Sequence, residues 1–295
     1  MGIQIRIGIS GWRYAGWRGV FYPKGLVQRR ELEFASRQFN SIEINGSFYS
    51  LQDASSWQRW HDATPDDFLF AVKCPRFITH IKRLRDIEAP LANFYASGVL
   101  LLRRKLGPML WQFPPFIRFD AERWDCFLGL LPKTAAAAAK QATLHDERID
   151  EPALPDKIPR LPLRHAVEIR HESFRCEEFV ALLRKHNVAL VVADTAGKFP
   201  YLEDVTADFM YLRLHGAEVL YSSGYDDASL KRWCSRVAAW SAGGQPRDAQ
   251  RASVSSPSKI PRSVYCYFDN DAKVRAPFDA QRLTAFVEHA MNRRG

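Results

Sequence analysis

Eight short apolar runs, most of them followed by a stretch with helical spacing, constrain this chain more than any other feature. They are "IQIRIGISGW" (3–12), "SIEINGSFY" (41–49), "FLFAVKCP" (68–75), "PMLWQFPP" (108–115), "HAVEIRHESF" (165–174), "ALVVADT" (189–195), "FMYLRLHG" (209–216) and "VYCYFDND" (264–271). Between them, "ELEFASRQF", "LANFYASGVLLLRRKL", "EEFVALLRKHNV" and "SLKRWCSRVAAW" place apolar residues three and four apart, as a helix requires. The link 196–208 has room for only a turn of helix. Strands alternating with helices imply parallel βα units. About 250 residues is typical of eight such units closed into a barrel, and this chain has 295. An open doubly wound sheet usually carries a G-x-G-x-x-G turn after its first strand; "GISGWRYAGW" lacks that spacing. A single (β/α)8 barrel of the TIM type over 1–295 is therefore expected, with insertions at 134–160 and 241–262. Both insertions precede a strand, which puts them on the N-terminal face, away from the chemistry of such barrels. The second is rich in Ser, Gly, Pro and Arg and reads as mobile.

The strand ends carry the functional signal. In "SIEINGSFY", Glu43 and Asn45 alternate with Ile42 and Ile44. Glu168 and Arg170 alternate with Val167 and Ile169, and Arg213 and His215 with Leu212 and Leu214. The third run ends in Lys73, the fourth carries Gln112, the sixth ends in Asp194, and the eighth carries Asn270 and Asp271. Ser10 and Trp12 sit at the first exit. Successive strand side chains point to opposite faces. The apolar set faces the helices, so the polar set points inward and gathers at the C-terminal rim, where barrel active sites lie. An internal ion pair such as Glu168–Arg213 or Glu43–Lys73 would be a purely structural use of these residues. Unpaired buried charge is costly, however, and so many polar ends on one rim favour a binding site. His171 has the opposite parity from Arg170 and reads as a strand cap. His80 lines the mouth or merely a loop. Trp12, Tyr14, Trp17, Phe21 and Tyr22, with Phe48 and Tyr49, form either a self-packed lid or a stacking surface.

Composition narrows the classes. Hydrophobic residues make up 46%, enough for a large core, and the net charge is +9. That charge permits an anionic partner without requiring one; its clusters (Arg29–Arg30, "KRLR" at 82–85, "RRK" at 103–105, Arg293–Arg294) read as solvated faces. Cys74, Cys126, Cys176, Cys234 and Cys266 are dispersed, without metal spacing, as for reduced thiols. There is no signal-peptide pattern and no apolar run long enough to span a bilayer, so a cytoplasmic chain is expected.

The stretches "GISGWRYAGWRGVFYP", "FNSIEINGSFY", "FLFAVKCPRFITH", "LGPMLWQFPP", "VEIRHESF", "YLRLHG" and "YFDND" resemble the YecE-like family, domain of unknown function 72. They span nearly the whole chain. The resemblance implies a TIM-type barrel similar to the xylose-isomerase and endonuclease-IV group. Its motifs carry Glu43, Asn45, Lys73, Gln112, Glu168, Arg170, His171, Arg213, His215 and Asn270. The chain departs from the family pattern at Ser50 and Gln52, where Arg and Pro are usual, and at Asp269, where Asn is usual.

The residues point to a small anionic ligand, phosphate- or carboxylate-bearing, or a nucleic acid. Lys73, Arg170 and Arg213 would hold it by charge-assisted bonds. Glu43, Glu168, Asp194 or Lys73 would transfer protons in hydrolase or lyase chemistry. Asn45, Gln112, His171, His215, Asn270, Trp12, Tyr14 and Tyr49 would line the ligand. No cofactor is expected; a divalent metal has only weak support, since the rim cations suit an anion better. No membrane or protein partner is implied. The alternatives are a non-catalytic nucleic-acid-binding module and, by fold analogy, a metal-dependent sugar isomerase or epimerase.

Overall fold

The computed structural model describes residues 2–293; Arg294, in the basic C-terminal pair, lies outside them. Eight parallel strands close into a barrel in chain order: β1 (Ile5–Ser10), β2 (Ser41–Ile44), β3 (Leu69–Lys73), β4 (Leu106–Gln112), β5 (His165–Glu168), β6 (Ala189–Asp194), β7 (Phe209–Leu214) and β8 (Ser263–Phe268). Helix α1 (Glu31–Gln38) links β1 to β2. Helices α2 (Gly46–Tyr49) and α3 (Ala54–Asp62) link β2 to β3, and α4 (Glu88–Ala96) links β3 to β4. Helices α5 (Ala121–Leu130) and α6 (Ala135–Ala142) precede β5, α7 (Glu177–His186) precedes β6, and α8 (Asp227–Ser241) precedes β8. The last helix, α9 (Ala276–Asn292), packs beside β1 and α8.

The alternation has its expected consequence. Ile7, Ile9, Ile42, Ile44, Val72, Val192, Leu212 and Leu214 are buried beneath the helices. Full burial of each such side chain is worth roughly 1.5–3 kcal/mol. The opposite parity fills the barrel with Ala71, Leu110, Ala166, Ala189, Val191, Ala193, Phe209, Tyr211, Tyr265 and Tyr267. Alanines on β5 and β6 leave the room that tyrosines on β7 and β8 occupy. Tyr267 reaches Ser41 Oγ at 2.7 Å. Gly8 is in register with both Ser41 and Tyr267, and a Cβ there would lie 1.8 Å from the Ser41 carbonyl oxygen. Only glycine fits.

Three local expectations are corrected. The helical spacing of 91–106 is broken at Gly98 (φ 111°), after which the chain makes 3-10 turns over Val99–Lys105. The second run is a strand only to Ile44, so Asn45 caps α2. The link 196–208 contains no helix at all.

In place of that helix lies part of the 241–262 segment, which is pinned rather than loose. Glu203 N–H donates to the Gln250 carbonyl (2.7 Å) and Gln250 N–H to the buried Glu203 carboxylate (2.9 Å). Asp204 accepts from the N–H groups of Ala252 (2.7 Å) and Ser253 (3.0 Å). Arg236 bridges Glu203 (2.8 Å) and Asp248 (2.9 Å). Residues 134–160 are likewise attached: α6 buries its alanines against α4, and Asn93 Nδ2 donates to Asp146 Oδ1 at 2.8 Å.

Candidate functional site

The interior parity of β1, β2, β3, β5 and β7 delivers Ser10, Glu43, Lys73, Glu168 and Arg213 to the C-terminal end of the barrel. Arg213 is the centre of a charge network and is 0% exposed. Its Nε and Nη2 donate to Glu43 Oε2 and Oε1 at 3.1 and 2.8 Å. Nη1 donates to Glu168 Oε2 at 2.8 Å, and Nη2 also reaches Asp269 Oδ2 at 2.9 Å. Tyr211 Oη adds a bond to Glu43 Oε2 at 2.6 Å. The other Glu168 oxygen accepts from Arg170 Nε at 3.0 Å. Both Glu168 oxygens and all three Arg213 nitrogens are therefore committed.

Electrostatics follow from this geometry. Burial opposes ionisation of Glu168 and Asp269. The Arg213 guanidinium outweighs it, with help from Arg170 at Glu168 and from His215 at Asp269, and holds both below the usual carboxylate range. Asp271 is pushed up to about 6 by burial and by the charge of Asp269. His215 Nδ1 lies 3.0 Å from Asp269 Oδ2, off the line a hydrogen bond needs, and its buried Nε2 has no partner among the described residues.

Lys73 differs from the two arginines. Among the described residues its ammonium has no ion-pair or hydrogen-bond partner; it sits 4.3 Å over the Phe48 ring. Loss of solvent, then repulsion by Arg213, pulls it down to about 8. Ser47 Oγ donates to the Lys73 carbonyl at 2.8 Å, which ties α2, and with it Phe48, to the end of β3. His80 packs edge-on against the same ring at 5.2 Å and bonds Thr79 Oγ1 through Nδ1 at 2.8 Å. Burial and then Arg76 pull His80 down to about 4, so it is neutral at pH 7.

The remaining expected residues divide. Asn45 joins the cluster, donating to Ser10 Oγ at 2.9 Å, with its Oδ1 buried and unpartnered among the described residues. Gln112 is interior, in register with Glu168, and its Nε2 reaches the Phe113 carbonyl at 3.4 Å. Arg170 and His215 lie at the mouth. Asp194 does not join. The interior parity of β6 passes through Ala193, so Asp194 turns away and accepts from Tyr225 Oη at 3.0 Å. Asn270 has the outward parity of β8 and donates to Asp279 Oδ2 (2.9 Å) and the Ser223 carbonyl (3.0 Å), fastening a loop to α9. His171 caps a short turn by accepting from Ser173 N–H at 3.0 Å. Trp12 packs against Trp60 as a lid, whereas Tyr49 is 70% exposed. Trp12, Tyr14, Asn45, Tyr49 and Trp60 line a groove of about 340 Å3 beside the mouth. Two central members escaped the sequence reading. Tyr211 reads as core, and Asp269 needed the count Tyr265, Tyr267, Asp269 along β8. Among the described residues no three His, Cys, Asp or Glu side chains are grouped to hold a metal, and no helix is long and apolar enough to cross a membrane.

With that geometry in view, the profile of the protein family of unknown function DUF72 matches residues 6–294. The chain belongs to the DUF72 family. It is 32% identical over 125 residues to the UPF0759 protein YunF of Bacillus subtilis, a match covering 41% of this chain and 43% of YunF. To the UPF0759 protein YecE of Escherichia coli K12 it is 31% identical over 124 residues, covering 37% of this chain and 43% of YecE. The matched region thus spans less than half the length of these relatives. A solved DUF72 protein from Thermotoga maritima shares the fold with a TM-score of 0.72 at 24% identity, covering 97% of this chain and 99% of that one. Another from Enterococcus faecalis gives 0.67 at 16% identity, covering 97% and 96%. Both likenesses concern the fold alone.

Proposed function

We propose that the C-terminal mouth of the barrel binds a small molecule bearing a carboxylate or phosphate and carries out proton-transfer chemistry of the lyase or hydrolase kind on it. Lys73 carries this reading. Three cations, Lys73, Arg170 and Arg213, meet three carboxylates, Glu43, Glu168 and Asp269, yet the carboxylates are spent on the arginines. Lys73 is largely withdrawn from solvent and among the described residues its ammonium has no carboxylate of its own, so a ligand anion would be favoured beside it. Arg170 Nη1 is also unpaired among the described residues and offers a second donor. Arg213 is wholly buried and its bonds go to the protein's own carboxylates, so its role is to hold Glu43 and Glu168 in place. An amine near 8 is well matched to proton transfer close to neutrality, whereas the doubly bonded Glu168 is not.

A thermal-shift titration with phosphate at constant ionic strength tests this on wild type and Lys73→Met. A ligand at ~100 times its dissociation constant stabilises by roughly 2.7 kcal/mol. Anion binding favours the ammonium and raises the Lys73 pKa in the complex. The shift is therefore full below pH 8 and fades as pH rises through that raised value. An equal shift in Lys73→Met would place the anion elsewhere and defeat the reading. Salt-sensitive binding of single-stranded DNA, indifferent to Lys73→Met, would favour a nucleic-acid-binding module instead.

A further inference from the structure

We propose that Lys73 is an imine-forming amine whose Nζ attacks the carbonyl carbon of a small oxo acid or anionic aldehyde held in the mouth. This rests on the reading of the mouth as an anion site and names the substrate class.

The placement of Lys73 carries the inference. The side chain leaves the last residue of β3 on the interior parity, so a substrate at the C-terminal mouth meets its amine end. A lysine serving as a counter-ion would sit on a carboxylate. Here Glu43, Glu168 and Asp269 are all turned to Arg213, and Lys73 rests on an aromatic face. That face favours the ammonium, yet it holds the side chain without a hydrogen bond to the amine. Phe48 is fixed there because Ser47 is bonded to the Lys73 carbonyl. Buried lysines beside another cation are the ones that act as nucleophiles. The groups facing Lys73 are Glu43 from β2, Glu168 and Arg170 from the end of β5, Arg213 from β7, Asp269 past β8 and His80 past β3. The carboxylates favour the ammonium; desolvation and Arg213 outweigh them and favour the free amine.

The chemistry balances without an oxidant or reductant. The amine lone pair forms a C–N bond while the carbonyl π pair moves to oxygen. Oxygen gains a proton and nitrogen loses one, giving a carbinolamine. The hydroxyl then departs with a second proton as water, and the nitrogen lone pair completes C=N. One amine and one carbonyl become one imine and one water. His80, neutral at pH 7, packs on the same Phe48 ring. Once protonated, the imine draws electrons from the adjacent carbon, which suits decarboxylation or carbon–carbon cleavage. A hydrolase of phosphate esters would have no use for it.

The test uses the intact protein at pH 7 with glyoxylate and cyanoborohydride, followed by peptide mass mapping. Glycolate, the same anion without the carbonyl, is titrated in parallel by thermal shift on wild type and Lys73→Met. Reductive labelling of Lys73 is expected at about tenfold or more the rate of any exposed lysine, because far more of it is unprotonated. That preference should vanish in urea, which controls for local sequence. Labelling of Lys73 no faster than exposed lysines overturns the proposal. If glycolate then still protects wild type but not Lys73→Met, the anion site stands and the imine alone falls. If glycolate protects neither, both readings fall.

Discussion

Replacing Arg213 with methionine keeps most of the stem volume and removes the cation that Glu43, Glu168 and Asp269 share. Each of its nitrogens is engaged and it is fully buried, so water cannot readily replace it. Removing one partner of a buried ion pair typically costs about 3–5 kcal/mol, and the upper end is expected here because three carboxylates remain. The pH dependence should also change sign. In wild type, Glu168 and Asp269 titrate below the ordinary carboxylate range, so the unfolded chain binds more protons in acid. Their stabilisation is present above the unfolded value near 4 and is lost as pH falls through the lower folded value. In Arg213→Met at least one carboxyl group is neutralised in the folded state, which then binds one proton more than the unfolded chain. Stability should rise as pH falls, by ~1.4 kcal/mol per unit, or roughly 3 kcal/mol between pH 7 and 5. Urea unfolding followed by circular dichroism at pH 7 and pH 5, on both proteins, measures each number. A loss below ~1 kcal/mol at pH 7, or a variant no more stable at pH 5, would refute the picture of a shared buried counter-ion.

Other changes follow from single features. Lys73→Met should stabilise the ligand-free protein at pH 7 by about 1–3 kcal/mol, since the folded chain no longer carries a desolvated ammonium. The gain should shrink between pH 8 and 10, where wild type folds with a neutral amine that the unfolded chain still protonates; urea titrations at pH 7 and 10 show it. Tyr211→Phe should cost roughly 1.5–3 kcal/mol while keeping the native circular dichroism spectrum, because it removes a hydrogen bond to the Glu43 carboxylate. Gly8→Ala should cost more than ~3 kcal/mol or abolish soluble protein, since its Cβ meets backbone rather than a movable side chain. Limited proteolysis should cut at 254–260, where Val254 is 85% exposed, and spare 249–253, where the N–H groups of Ala249, Gln250, Ala252 and Ser253 are bonded; peptide masses locate the cut.

The barrel was legible because one-in-two alternation and helical spacing are local signals, repeated along the chain. The same count placed Glu43, Lys73, Glu168 and Arg213 inside. It failed where parity was not carried through a strand. Ala189, Val191 and Ala193 fix the interior of β6, so Asp194 must turn out; Tyr265 and Tyr267 fix β8, so Asp269 and not Asn270 turns in. Who pairs with whom was beyond reach. Arg213 meets Glu43 across 170 residues and Glu168 across 45, and only closure of the barrel brings them together. The 241–262 segment misled for a related reason. Its own composition is that of a free loop, and its anchors, Glu203 and Asp204, lie in a different link and read as surface acids.

That substitution of a late segment for a helix between β6 and β7 sets an order of assembly. Leu202 and Val205 are buried in a link that has no helix of its own. Its bonding partners arrive 47 and 48 residues further on, with Gln250 and Ala252, after β7 and α8 have been laid down. Loop closure over such separations slows folding, because the entropy is lost before the contacts form. Refolding should therefore protect the amides of β1–β4 first. Those of β6, and of the 203–205 stretch behind it, should lag until 250–253 has docked, a sequence that pulsed hydrogen exchange can time.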